Sequence, residues 1–247
     1  MATVKDIYNF IDSIAPFNTQ EEWDNSGLLV GNENAEVTKI LFALDATSDV
    51  VDQAIKFGAN LIITHHPVIF KAVSDVLSDS LVYKLINNNI SIICAHTNYD
   101  KAIDGVNDIL CKTVGFDGFT RVENTCLKIG FFESEISTDN FVNHIKNVLG
   151  CVVRYNNLSK DIKKIAVCSG SGSDYLSLAK DLNCDALLTG DASHHAFLDA
   201  NEMGIVLVAA GHFETENLAM KPLMNKINEK FGIACELAKQ NSPIIIV

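Results

Sequence analysis

Two histidines stand side by side where an apolar run ends, in Leu61-Ile62-Ile63-Thr64-His65-His66-Pro67. Two more histidines each precede a carboxylate by four residues: His96 and Asp100 in "AHTNYD", His212 and Glu216 in "GHFETE". Imidazole nitrogens with carboxylate oxygens are the ligands of borderline divalent metals, and a carboxylate has the two oxygens needed to bridge ions about 3.5 to 4 Å apart. Beyond the last ladder bond of a strand, where strict alternation relaxes, His65 and His66 could each address a different ion of one pair. A single histidine near a strand end is ordinarily structural or merely exposed, but the His-His-Pro run and two His-x3-carboxylate ends together outweigh that reading.

Other residues carry weaker signals. His194-His195 opens a predicted helix and reads as a solvated cap or as an outer support of a site. His144 lies in an amphipathic stretch and reads as structural, and Glu214 as a solvated neighbour of Glu216. "CSGSGSD" contains Gly-x-Gly without a Walker lysine, so a tight polar turn competes with a phosphate cradle. Trp23 and Asp24, in "EEWDNSGLLVG", can line a site, although the default for such an aromatic is to anchor its loop against the core. Cys94 and Cys168 precede strand ends with no base at a motif spacing, which argues against a thiol nucleophile.

The elements that must position these residues alternate. Thr3 caps a predicted helix carrying Val4, Ile7, Ile11 and Ile14 on one face and stopping before Pro16. "EEWDNSGLLVG" reads mostly as loop. "KILFALDA" reads as a strand, "SDVVDQAIKFG" as a helix capped by Ser48, "NLIITHH" as a strand, "SDSLVYKLINNN" as a helix, "ISIICAH" as a strand and "DGVNDILCKTVG" as a helix. Strands separated by helices of about ten residues signal parallel sheet with crossover helices. The later chain repeats the plan: "KKIAVCSG", "CDALLTGD" and "IVLVAAGH" as strands, "SDYLSLAKDLN" and "SHHAFLDANEMG" as helices. Sliding the first half by 125 residues places Lys39-Ile40 on Lys164-Ile165, Ser48-Asp49 on Ser173-Asp174, Ala54 on Ala179 and Thr64 on Thr189. Internal duplication follows from this order more than from the few identities. The expected organisation is a first α/β half over residues 1–118, an intervening strand-helix-strand region over 119–160 ("CLKIGFFESEIS", "TDNFVNHIKNVLG", "CVVRYN") and a second half over 161–247, with one integrated domain as the alternative. Both His-x3-carboxylate pairs then fall at carboxyl ends of corresponding strands, where open α/β sheets assemble sites.

Composition limits the alternatives. With 247 residues at 48% hydrophobic, the chain can bury a full core. A formal net charge of −12 argues against nucleic acid or an anionic membrane as its main ligand, and an acidic substrate needs a metal's help. Seven cysteines without a CxxC pair read as buried thiols of a cytoplasmic chain. No apolar run approaches the roughly 20 residues of a membrane span, and the amino terminus does not read as a leader.

"WDNSGLLVG", "ITHHPVIF", "HTNYD…GVND", "LLTGD" and "AAGHFETE" resemble, in order and over essentially the whole chain, the successive signatures of the GTP cyclohydrolase 1 type 2 homologues, the NIF3-like family. The resemblance implies an internally duplicated three-layer α/β fold with two similar halves and a dinuclear metal cleft between them, often assembled as a toroidal homohexamer built from dimers. It implies His65, His66, Asp100, His212 and Glu216 as ligands of two divalent ions (Zn, Fe, Mn, Ni, Co or Mg), with Glu216 bridging. His96 and His195 match other polar positions near the family's cleft, with proton transfer as their candidate role. The family often has leucine at Tyr99 and a glycine pair at Asp104-Gly105, departures that could alter the mouth of the cleft. The implied activity is a metal-dependent hydrolysis like that of a GTP cyclohydrolase, in which water attacks C8 of guanine and His96 or His195 serves the leaving nitrogen. A phosphoesterase acting on nucleotides or other phosphate esters and a noncatalytic, metal-stabilised scaffold or regulatory protein are the alternatives.

Overall fold

The computed structural model describes residues 2–116 and 118–245. In chain order the elements are α1 (Val4–Ile14), β1 (Gly27–Val30), β2 (Lys39–Ala43), α2 (Ser48–Phe57), β3 (Leu61–Thr64), α3 (Leu81–Asn87), β4 (Ser91–Cys94) and α4 (Thr97–Lys101). They continue with α5 (Val106–Thr113), β5 (Phe119–Arg121), β6 (Lys128–Ser137), α6 (Thr138–Leu149), β7 (Arg154–Tyr155), β8 (Asp161–Val167) and α7 (Leu176–Asp181). The last are β9 (Ala186–Thr189), α8 (His194–Met203), β10 (Val206–Ala209), α9 (His212–Glu216), α10 (Met220–Phe231) and β11 (Ala234–Leu237). Two compact units result, the first comprising the residues up to Ile103 with Ala219–Asn241, the second Asp104–Leu218 with the residues after Asn241.

The first unit holds a five-stranded sheet in the order β1-β4-β3-β2-β11. Only β1 runs antiparallel to its neighbour; β4, β3, β2 and β11 are mutually parallel. Strands buried on both faces must be apolar throughout, and Leu61, Ile62 and Ile63 of β3 and Ile92 and Ile93 of β4 are fully buried. Val50, Val51 and Ala54 of α2 and Leu85 of α3 cover one face through Leu41, Ala43, Ile62 and Ile92. The cap of α1 is the expected one, with Thr3 and Asp6 closing a reciprocal capping box and Val4, Ile7 and Ile11 buried. For α2 the cap shifts by one residue. Thr47, extended at φ −117°, accepts the Val50 N–H, while Ser48 is the first helical residue.

The second unit holds a six-stranded sheet in the order β5-β6-β8-β9-β10-β7. Its centre is parallel, β8 to β9 to β10, with β7 antiparallel on β10 and β6 antiparallel on β8. Alternate side chains feed two cores. Ile165, Val167 and Leu188 face Leu110 of α5 and Phe141 and Ile145 of α6, whereas Ala166, Leu187 and Leu207 face Leu176 and Ala179 of α7 and Ala200 of α8. This unit is therefore a three-layer helix-sheet-helix stack.

The duplication is written in the strand pairings. β2-β3-β4 with β1 antiparallel on β4 repeats as β8-β9-β10 with β7 antiparallel on β10. Ile40 and Ile165 sit in the first parallel strands and Thr64 and Thr189 end the second ones, as the 125-residue offset requires. Each unit also takes the helix that follows the other's last site-bearing helix: α5, after α4, folds with the second unit, and α10, after α9, with the first, where β11 extends the sheet beside β2. Three local readings change. "GLLVG" is a strand, because β1 finds a partner in β4 despite its short length. "CVVRYN" yields only a two-residue pairing at Arg154 and Tyr155. Residues 220–237, whose sequence announces no element, form α10 and β11.

Candidate metal centre

In the first unit, His65 and His66 do not lie beyond the last ladder bond: their amides still donate to the carbonyls of Ala43 (3.3 Å) and Leu44 (2.9 Å). What brings adjacent rings together is a bend just after β3. The Thr64 hydroxyl donates to the His66 carbonyl at 2.8 Å, Pro67 follows, and the two imidazole centroids end 5.1 Å apart. His96, at the amino end of α4, sets its ring 5.0 Å from His65 and 5.5 Å from His66. One turn on, Asp100 places Oδ1 3.6 Å from His65 Nε2. His65 and Asp100 are buried, and a ligand atom from each of His65, His66 and His96 lies within 4.8 Å of the others.

All three Nδ1 atoms meet groups that can only accept: the Ala95 carbonyl for His65 (2.9 Å), Asp45 for His66 (2.7 Å) and Asp24 for His96 (2.7 Å). Nδ1 must therefore carry the proton in each neutral ring, which puts the lone pair on Nε2. Asp24 also accepts from the Thr97 amide (3.1 Å) and hydroxyl (2.5 Å). Burial works against its charge, but the bonds from His96, Thr97 and the Asn25 amide prevail and hold its carboxyl well below the usual range.

In the second unit, Gly211 at φ +90° turns the chain out of β10 and into α9. His212 opens that helix and the buried Glu216 closes it, with Nε2 3.0 Å from Oε2. His212 Nδ1 meets Asp191 at 2.7 Å, so this ring too offers Nε2. The "CSGSGSD" turn makes room for the pair: a Cβ at Gly170 would stand 2.0 Å from Glu216 Oε1 and 3.4 Å from His212 Cε1. The Thr215 hydroxyl fixes the approach by accepting the Gly170 amide at 3.1 Å. Gly170 thus serves close packing against a carboxylate, while Gly172 makes room for Cys168 and Thr189.

The residue types, the shared tautomer and the Gly170 cradle all fit divalent ions. The His, Asp and Glu clusters mark a dinuclear metal-binding site, with imidazole and carboxylate donors that leave the metal unspecified. His195 stands apart. It is exposed on the first turn of α8, its ring 5.7 Å from that of His194, and it enters none of the metal-capable groups among the described residues. His144 is structural, its Nε2 bonded to the Val114 carbonyl at 2.7 Å. Tyr99 is buried, its hydroxyl directed at the Ala219 carbonyl, and Asp104 adopts φ +53° and pairs with Lys112, so packing and backbone account for both departures from the family pattern. Sequence reasoning missed Asp45 and Asp191 as orienting carboxylates. One regularity pointed to them, since each precedes its histidine by 21 residues at the end of the neighbouring parallel strand.

A duplicated α/β protein whose strand ends carry preset histidine and carboxylate ligands is the class that fold and site define. The family model described as Duf34/NIF3 (NGG1p interacting factor 3) matches residues 2–243, and the chain belongs to that family. Among its relatives, a GTP cyclohydrolase 1 type 2 homolog of Clostridium perfringens is 38% identical across 92% of this chain and 90% of its own. The GTP cyclohydrolase 1 type 2 of Helicobacter pylori is 32% identical with both chains fully covered. The crystal structure of a Staphylococcus aureus hypothetical protein superposes with a TM-score of 0.91 at 30% identity, covering 99% of each chain.

Proposed function

We propose that the protein is a metal-dependent hydrolase that binds two divalent ions through His65, His66, Asp100, His212 and Glu216, with Glu216 as the bridge. The observation that carries this is the uniform setting of the three ligand imidazoles, His65, His66 and His212, each with Nδ1 held by a carbonyl or carboxylate so that Nε2 is the metal-binding nitrogen. Bound ions of this kind acidify water and polarise the bond under attack. The protein's own contribution is to hold those rings, to seat the buried Glu216 carboxylate against Gly170, and to offer a proton. His96 fits that last role by geometry, because Asp24 holds its ring through Nδ1 at 2.7 Å and leaves Nε2 as the nitrogen that exchanges a proton with a leaving atom. His195, exposed at the start of α8, is the second candidate for proton transfer.

The relatives' names support GTP ring opening as the reaction, with a nucleotide or another phosphate-containing small molecule as substrate. Metal-loaded protein offered GTP, phosphodiesters and phosphomonoesters tests this. Formate release from GTP supports the cyclohydrolase, phosphate release alone supports the phosphoesterase, and full metal loading without turnover supports a scaffold. Seven cysteines, all thiols, support a cytoplasmic setting, and no helix among the described residues is long and apolar enough to cross a membrane. Family resemblance supports a homohexamer, for which light scattering should give about six times the 27.0 kDa chain mass.

A further inference from the structure

Trp23 does not anchor its loop. Its side chain is 59% exposed, and the loop is held instead by its polar neighbours: Asp24 grips His96 and Thr97, and Asn25 donates to the Ile69 carbonyl at 2.6 Å. That last bond ties the Trp23 loop to the segment carrying Phe70, which is itself 48% exposed. The two rings lie 5.8 Å apart at a 35° tilt, and both stand nearly edge-on to His96, at 6.0 and 6.4 Å. Two large aromatic faces are thus rigidly mounted, left to solvent, and placed against the histidine assigned to proton transfer. Ordinary packing does not account for such placement, since each of these large rings keeps about half of its surface in solvent beside the other.

We propose that Trp23 and Phe70 form a stacking wall that recognises the planar heteroaromatic ring of the substrate, a nucleobase, and sets it beside His96. Stacking uses the π-face that any base presents and needs no charge, which suits an acidic chain whose pull on phosphate would come from bound ions. The inference rests on the hydrolase reading for its substrate class, but its test does not.

Trp23 is the single tryptophan of the chain, so its fluorescence reports this wall alone. With metal-loaded full-length protein, GTP should quench it saturably while tripolyphosphate, which lacks a base, should not. Phe70→Ala should weaken GTP binding about 5- to 150-fold, the range of one lost stacking partner, with metal stoichiometry and tripolyphosphate binding unchanged. Equal quenching by tripolyphosphate, no quenching by GTP, or unchanged GTP affinity in Phe70→Ala would overturn the proposal. So would an emission shift that follows protein concentration and not ligand, which would assign the pair to contact with a second copy. If quenching depends on the base but nothing is hydrolysed, the hydrolase reading fails and the wall stands; turnover without such quenching reverses that outcome.

Discussion

Gly170→Ala tests whether the glycine turn after β8 exists to seat Glu216. The new Cβ would stand 2.0 Å from Oε1 and 3.0 Å from the carboxyl carbon. Carbon and non-bonded oxygen need about 3.3 Å, so the carboxylate must retreat by about 1.3 Å. Gly170 also sits at φ +58°, where an L side chain costs about 1–2 kcal/mol. Overpacking adds about 1–3 kcal/mol. Urea unfolding of the metal-free variant should therefore show a loss of about 2–5 kcal/mol. Gly204→Ala supplies the control: φ is +67° but nothing lies within 4 Å of its Cβ, so only the backbone term applies, about 1–2 kcal/mol. If the folded variant is titrated with Zn or Mn, Gly170→Ala should bind about 10- to 100-fold more weakly than wild type, while Gly204→Ala should match wild type. Equal stability losses in the two variants, together with wild-type metal affinity in Gly170→Ala, would refute the cradle.

Glu216→Gln should lose at least one ion and all turnover, whereas His195→Ala should keep both ions; two-ion occupancy in Glu216→Gln removes its bridging role. Thr47→Ala should cost about 1 kcal/mol by stripping the Val50 N–H of its cap, and Ser48→Ala only a few tenths, a ranking that reverses if Ser48 is the cap. Burial pushes the Cys151 and Cys235 thiols up to about 11 and that of Cys111 to about 12. Below those values the thiolate fraction grows about tenfold per pH unit. Native protein should accordingly label at two half-buried thiols, Cys151 and Cys235, about tenfold faster at pH 8 than at pH 7. A pH-independent rate, or rapid labelling of all seven, would contradict this.

The fold was legible where periodicity and burial agree. The continuous apolar runs of β3, β4, β9 and β10 announced parallel strands, and their spacing announced the repeat. β1 and β11 were not legible, because a four-residue edge strand becomes a strand only through its partner. The helical form of "HTNYD" and "GHFETE" was hidden for a related reason. Five-residue helices have almost no periodicity, yet the helical turn is what carries Asp100 back toward His65 and Glu216 onto His212. Ligand types could be read from sequence, and so could Asp24 as a residue able to line a site; the orienting roles of Asp24, Asp45 and Asp191 could not, since the 21-residue spacing of Asp45 and Asp191 from their histidines gains meaning only once the parallel strands are paired. Trp23 shows the opposite error. A tryptophan in a loop is read as an anchor by default, and here the bonds that Asp24 accepts from His96 and Thr97 and the one Asn25 donates to Ile69 hold the loop and leave the ring outside.

The central claim is that this chain is built to hold two divalent ions. Elemental analysis of protein purified without chelator, or stripped and reloaded at neutral pH with Zn, Mn, Fe, Ni or Co, measures it directly. The expected ratio is about two ions per chain, falling to one or none when Glu216 is replaced by Gln. A reproducible ratio near zero with every metal offered, in protein whose unfolding shows it to be native, would contradict the account.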